Sequence, residues 1–112
     1  MSADLLKRRI AARQRNKEAG GKRFTLRRPT EFEMVKFAGM TRLEYLCACI
    51  DDCDLTEADV VDGGSSELAV AFDRALLFDW MQEHPELWIP LADELAAMVS
   101  AHRASLEEAA KN

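Results

Sequence analysis

A strongly apolar segment, residues 67–84, lies in the second half of the chain. It contains no Gly or Pro, follows a Gly-Gly-Ser-Ser sequence and ends at Pro85, and these boundaries predict one continuous helix. On a helical wheel its apolar side chains point to most sides. Such a helix is central in a domain or partly covered by another protein. We therefore expect a partner-binding surface formed by Leu77, Phe78, Trp80, Met81 and the nearby Trp88.

Apolar residues at helical spacing also predict helices over 31–38, over 42–50 and from Leu91 towards the C terminus. The first two begin with Thr-x-x-Glu capping boxes, and the first should bury Phe32 and Val35. The helix over 67–84 should start at a Ser cap and pack against the C-terminal helix as an antiparallel hairpin, with the second tryptophan at the turn.

The N-terminal region has a different pattern. Residues 4–18 are compatible with a helix whose apolar face is thin, and Gly20-Gly21 predicts a flexible joint. In residues 22–28, Phe24 and Leu26 share one face, which indicates a short extended segment. The chain is thus predicted to be mainly α, a single small helical domain of four to five helices with a short N-terminal extended segment.

The charge is unevenly distributed along the 112 residues. Residues 1–28 carry ten basic and two acidic side chains, a net of +8, whereas residues 29–112 carry five basic and eighteen acidic ones, a net of −13. We therefore expect residues 1–21 to be a basic, mobile arm and residues 22–112 to be the helical domain. The arm should bind an acidic partner, and the acidic part of a second copy of this chain is one such partner. Its basic residues are Lys7, Arg8, Arg9, Arg13, Arg15 and Lys17.

Nucleic acid is an alternative ligand of the arm, since lysine and arginine neutralise phosphates. The arm lacks interleaved aromatic residues that would stack on bases, and the acidic remainder of the chain would repel nucleic acid. We therefore expect the arm to contact a protein partner or solvent. The partner could be a second copy of this chain, which would make the protein a homo-oligomer.

No pattern of catalytic or metal-binding residues stands out. Cys47, Cys49 and Cys53 do not form the two spaced pairs typical of structural zinc, and His84 and His102 are distant in sequence. The acidic residues between positions 51 and 62 do not fit the register of a calcium loop. We expect no catalytic residues, no metal, no cofactor and no enzymatic activity.

The chain also lacks a long apolar run and a secretory signal. Three cysteines, an odd number, favour reduced thiols. We therefore expect a cytoplasmic protein that does not associate with a membrane.

Three segments of the chain carry a family resemblance. They are Phe24-Thr-Leu-Arg-Arg-Pro-Thr-Glu-Phe-Glu, Leu55-Thr-Glu-Ala-Asp-Val and Pro85-Glu-Leu-Trp, the last followed by a long helix. Together they resemble tail assembly chaperones of tailed bacteriophages: the first is similar to the opening of these proteins, in which a strand precedes an acidic helix, and the other two resemble later parts. The likeness covers about residues 22–112 and does not include the basic arm.

The resemblance implies a non-enzymatic protein of the host cytoplasm. Such a protein binds the tape measure protein and keeps it soluble until tail tube subunits polymerise around it; the tail tube protein is a further partner. Two other interpretations stay open: a small structural or adaptor protein of a phage tail or other oligomer, and a nucleic-acid-binding regulator that uses the basic arm.

Overall fold

The structure is a computed structural model that describes residues 2–111. Within that range the chain forms six α-helices, a 3₁₀ turn and one three-stranded antiparallel sheet. The mainly α prediction is therefore wrong, and the fold is mixed α and β. The elements are α1 (Ser2–Ala12), β1 (Gln14–Ala19), β2 (Lys22–Arg27), α2 (Glu31–Phe37), α3 (Arg42–Ala48), β3 (Ile50–Cys53), α4 (Glu57–Val60), α5 (Arg74–Gln82), the 3₁₀ turn (Pro85–Leu87) and α6 (Trp88–Lys111).

The N-terminal sheet begins with a tight hairpin. Gly20 and Gly21 have φ values of 58° and 75°, the left-handed conformation that a two-residue hairpin turn requires at both positions. The turn pairs Ala19 with Lys22 and continues to the opposite ends of β1 and β2. The extended segment predicted over 22–28 is confirmed. The helix predicted over 4–18 ends at residue 12, because the polar residues that follow pair with β2.

This hairpin joins the two predicted segments of the chain. β1 belongs to the segment 1–21 and β2 to the segment 22–112. The outermost residues of these segments, Met1 and Asn112, lie outside the described residues. The mobility of the arm stays a prediction.

The third strand, β3, follows α3 directly. It pairs antiparallel with β2, so that Leu26 lies opposite Ile50 and Phe24 opposite Cys53. The helix predicted over 42–50 therefore ends two residues early, at Ala48. Pairing with β2 provides hydrogen-bond partners for the backbone N–H and C=O groups of this segment, which would otherwise need partners at a helix end.

The core lies between one face of the sheet and three helices. Phe24, Leu26 and Ile50 come from the sheet, and Leu77 and Leu91 pack from α5 and α6; all five are almost fully buried. Both α5 and α6 contact α3 more extensively than they contact each other. The antiparallel hairpin expected for the last two helices is therefore not their main packing.

Helix α5 is half as long as the predicted helix over 67–84. Its N-cap is Asp73 rather than a serine, and the Asp73 carboxylate accepts from the backbone N–H groups of Ala75 and Leu76 at 2.9 and 3.1 Å. The preceding residues are not helical: Val70 N–H donates to the Leu55 carbonyl at 3.0 Å, and Ala69 forms an isolated bridge with Thr56. This pairing with a distant segment overrides the helix propensity of residues 67–73.

Candidate functional site

An open apolar groove lies between α2, α3 and α6. Its cavity volume is about 810 Å³, within the range of ligand-binding clefts. Met34 and Phe37 of α2 form one part of the wall, Tyr45 of α3 forms another, and Leu95 and Val99 of α6 lie opposite. The groove therefore combines segments that are about fifty residues apart in sequence.

Small residues form one strip of the α6 side of the groove. Ala92, Ala96, Ser100 and Ala104 follow one another at every fourth position and all line the groove, as residues on one face of a helix do. Small side chains leave room for another chain to approach the helix closely. The lining runs on to Glu107, a length of about 22 Å along α6.

Two capping boxes set the geometry of the opposite wall. In α2, Thr30 and Glu33 exchange hydrogen bonds with each other's backbone N–H groups, both at 3.1 Å. In α3, Thr41 and Glu44 do the same, both at 3.2 Å. Each box fixes a helix start, so the short connection between α2 and α3 holds Met40 at the edge of the groove.

Aromatic packing closes the floor between α2 and α3. The rings of Phe37 and Tyr45 meet edge to face, with centroids 5.6 Å apart, an arrangement that aromatic pairs prefer. Burial raises the pKa of the Tyr45 hydroxyl above its ordinary value. The phenol is therefore neutral at physiological pH and can donate a hydrogen bond inside the groove.

An ion-pair network ties the α2 wall to the sheet. The Arg27 guanidinium on β2 contacts Glu33 of α2 at 2.7 Å and Asp51 of β3 at 2.8 Å. Asp51 also accepts from the Gln14 side chain of β1 at 2.8 Å. Side chains from all three strands thus meet at Arg27 and its acidic partners, and Arg27 also anchors α2 to the sheet.

The structure places the predicted partner-binding residues elsewhere. Leu77 and Met81 are 1% and 0% exposed and belong to the core, so this fold does not present them to a partner. Phe78, Trp80 and Trp88 are partly buried against the same core. None of the five lines the groove.

Hydrogen bonds hold both tryptophans in place. The Trp80 indole donates to the Asp59 carbonyl at 3.0 Å, and the Trp88 indole donates to the Met81 carbonyl at 2.7 Å. Trp80 also stacks on His84, with the ring centroids 3.9 Å apart. A partner role for these two rings and for Phe78 stays a prediction; their observed contacts are within the domain.

The two most exposed large apolar side chains among the described residues lie on α2. Phe32 and Val35 are 75% and 78% exposed, so the expectation that they are buried is wrong. They lie on the side of α2 away from the groove residues Met34 and Phe37. α2 therefore presents apolar side chains on both sides, and only Phe37 of this helix is buried.

The residues of the basic arm are divided between solvent and the rest of the domain. Lys7, Arg8 and Arg9 are exposed on α1. Arg15 on β1 reaches α6, where it pairs with Glu94 at 3.6 Å. Arg13 and Lys17 are half-buried, and none of the arm residues that the structure describes lines the groove.

The cysteines are reduced and mostly inaccessible. Cys47 and Cys49 are buried and Cys53 is half-buried. Burial raises the pKa of Cys47 to about 11 and that of Cys49 to about 12, so these thiols are not poised as nucleophiles. Residues 2–111 contain no group of three or more His, Cys, Asp or Glu side chains that could hold a metal ion.

In the described part of the chain, no helix combines the length and apolarity needed to cross a membrane. Comparisons with known protein families, with curated proteins and with solved structures found no match to this chain.

The groove is the feature that sequence reasoning missed. A signal for it was present in α6, where small residues recur at every fourth position between Ala92 and Ala104. This repeat marks a strip of small side chains along one edge of α6. It does not indicate which other helices flank that edge, and the groove depends on them.

Proposed function

We propose that this chain is a non-enzymatic tail assembly chaperone of a tailed bacteriophage. It binds a helical segment of the tape measure protein in the groove between α2, α3 and α6. The observation that carries the proposal is the groove itself, an open apolar cleft of about 810 Å³. Open apolar clefts of this kind bind the apolar face of amphipathic helices.

The dimensions and the side chains of the groove suit such an occupant. Its length of about 22 Å along α6 corresponds to about four turns of a bound helix. The small residues of α6 admit close approach, while Met34 and Met40 on the other wall are flexible and adapt to different apolar side chains. A chaperone that holds a long client rich in apolar residues needs this tolerance.

The identity of the client rests on the family resemblance. The segment that begins at Phe24 forms β2 and leads into α2, and the segment Pro85-Glu-Leu-Trp leads into α6. Two of the three resembling segments therefore introduce the helices that form the groove walls. By covering apolar faces of the tape measure protein in the host cytoplasm, the chain would keep that protein soluble until the tail tube forms.

Co-expression tests this proposal with a matched pair of variants. Ala96 lines the groove, whereas its neighbour Ala97 is exposed on α6 outside it. Ala96→Trp should fill the groove and Ala97→Trp should not, at similar cost to the fold. The wild type and Ala97→Trp should keep a co-expressed tape measure protein in the soluble fraction and co-purify with it. Ala96→Trp should lose most of this solubilisation and most of the co-purification.

Two results would contradict the proposal. Failure of the wild type to solubilise or co-purify with the tape measure protein argues against chaperone function. Equal activity of Ala96→Trp and Ala97→Trp argues against the groove as the binding site. Recovery of the chain in stoichiometric amount from purified mature virions would favour the structural or adaptor alternative.

A further inference from the structure

We infer that the groove selects amphipathic helices whose apolar face is flanked by carboxylates. This inference rests on the proposed function and names the chemistry of the segment that the groove binds. It is drawn from the position of two arginines in an otherwise acidic part of the chain.

Basic residues are scarce in the acidic part of the chain, and two of them line the groove. Residues 29–112 contain five basic and eighteen acidic side chains. Arg42 and Arg103 are among the five, and both line the groove, where Glu107 is the acidic residue. The lining therefore carries a net positive charge within a region whose net charge is −13.

The two arginines lie on opposite walls. Arg42 is the first residue of α3, and Arg103 projects from α6. The Arg103 guanidinium reaches towards α2, where one N–H lies 3.5 Å from the Met34 sulfur. Because a thioether is a weak acceptor and a guanidinium has several donors, Arg103 retains strong donor capacity for an incoming carboxylate.

Other arginines of the domain have a different role. Arg27 is engaged by Glu33 and Asp51, and Arg74 donates to the backbone carbonyls of Cys47 and Ile50. Those two guanidinium groups hold the fold together. Arg42 and Arg103 are exposed at the edges of an apolar cleft, where a partner can reach them.

A helix that pairs with the arginines on both walls has an apolar stripe with Glu or Asp on each side. Arginine pairs with carboxylates in a planar geometry with two parallel hydrogen bonds. Exposed ion pairs add little affinity individually, but they discriminate well, because the wrong charge meets repulsion on both edges. The groove should therefore reject helices with lysine flanks.

Two synthetic peptides test this inference directly. Both carry the same Leu and Ala apolar face and the same length; one has Glu and the other Lys at the flanking positions, and circular dichroism confirms equal helicity. Isothermal titration at low salt should give a dissociation constant about three- to tenfold lower for the Glu peptide. The preference should shrink at high salt, because the pairs are exposed.

Charge-reversed variants supply the control. Arg42→Glu with Arg103→Glu should abolish or invert the preference. Lys36→Glu with Lys7→Glu makes the same change in net charge at exposed residues outside the groove and should leave most of it. A loss of preference of equal size in both double variants would show a general charge effect and overturn the inference.

The outcomes separate the inference from the proposed function. Equal binding of both peptides, or tighter binding of the Lys peptide, overturns the charge selectivity while leaving the groove as a helix-binding site. If neither peptide binds but Ala96→Trp still abolishes solubilisation of the tape measure protein, the selectivity is overturned and the chaperone proposal stands. If neither peptide binds and Ala96→Trp has no effect, the charge selectivity and the groove as the binding site are both overturned, and chaperone function is overturned when the wild type also fails to solubilise the tape measure protein.

Discussion

Arg27 is the group whose removal most directly tests how this fold is held together. Its side chain is 16% exposed and joins Glu33 of α2 to Asp51 of β3, with nitrogen–oxygen distances of 2.7 and 2.8 Å. It also donates to the Ala48 carbonyl at 3.3 Å. Arg27→Met keeps much of the apolar stem and removes every one of these side-chain hydrogen bonds, so two largely buried carboxylates lose their shared cation.

The expected loss follows from what each carboxylate retains. Removing one partner of a buried ion pair costs about 3–5 kcal/mol, because the other charge is left uncompensated. Here Asp51 keeps the Gln14 amide at 2.8 Å and the Arg74 guanidinium at 3.7 Å, and Glu33 keeps the backbone N–H of Thr30 at 3.1 Å. These contacts lower the expected loss in the free energy of unfolding to about 2–4 kcal/mol.

Urea denaturation followed by far-UV circular dichroism measures this loss. A domain of this size has a total stability of about 5–15 kcal/mol, so Arg27→Met should still be folded, with a lower midpoint and an unchanged slope. Glu33→Gln is the informative companion, because glutamine also serves at the third position of a capping box. It removes one ion pair and should cost about 1 kcal/mol.

A small effect would refute this reasoning. If Arg27→Met lowers the free energy of unfolding by less than about 1 kcal/mol, the network behaves like a surface ion pair and does not anchor α2 to the sheet. Additivity of Arg27→Met and Glu33→Gln in the double variant would lead to the same conclusion, because residues in contact should show coupling.

Two further predictions concern the hairpin turn and the buried thiols. Gly20→Ala should cost more than Gly21→Ala: both residues have positive φ, which costs about 1–2 kcal/mol for alanine, but only at Gly20 would the new Cβ meet a side chain, at 2.6 Å from Leu87 Cδ2. Equal melting temperatures of the two variants would contradict this turn geometry. Because burial raises the pKa of Cys47 to about 11 and that of Cys49 to about 12, the folded thiols hold their protons above the pH at which unfolded thiols lose them. The free energy of unfolding should therefore fall as pH rises from the ordinary thiol value of 9.0 towards 11. In urea titrations at pH 8 and pH 10, Cys49→Ala should reduce that fall, and an unchanged pH dependence would count against burial of the thiol.

Local sequence signals determined several elements of this protein. The capping boxes at Thr30 and Thr41 predicted the starts of α2 and α3, because each box needs only residues three positions apart. The alternation of Phe24 and Leu26 predicted β2, because both point to one side of a strand. The helical spacing of Leu91 and later apolar residues likewise predicted the buried face of α6.

The tertiary structure decided the elements that have no such signal of their own. β1 has polar side chains at nearly every position, and it becomes a strand because the Gly20-Gly21 turn aligns its backbone with β2. Residues 67–73 have a helical pattern but pair with the segment around Leu55, so their conformation depends on a contact between distant parts of the chain.

The same reason explains why Leu77 and Met81, which were predicted to contact a partner, are buried in the domain's own core. An apolar helix segment such as Leu77–Met81 indicates that something covers it, and the sequence alone does not distinguish the domain's own core from another protein. In this fold Leu77 and Met81 are covered by the domain's own core, with α3 as the main neighbour of α5. The groove exists because α6 lies across an open space from α2 and α3, and that arrangement depends on how distant helices dock, which local periodicity does not encode.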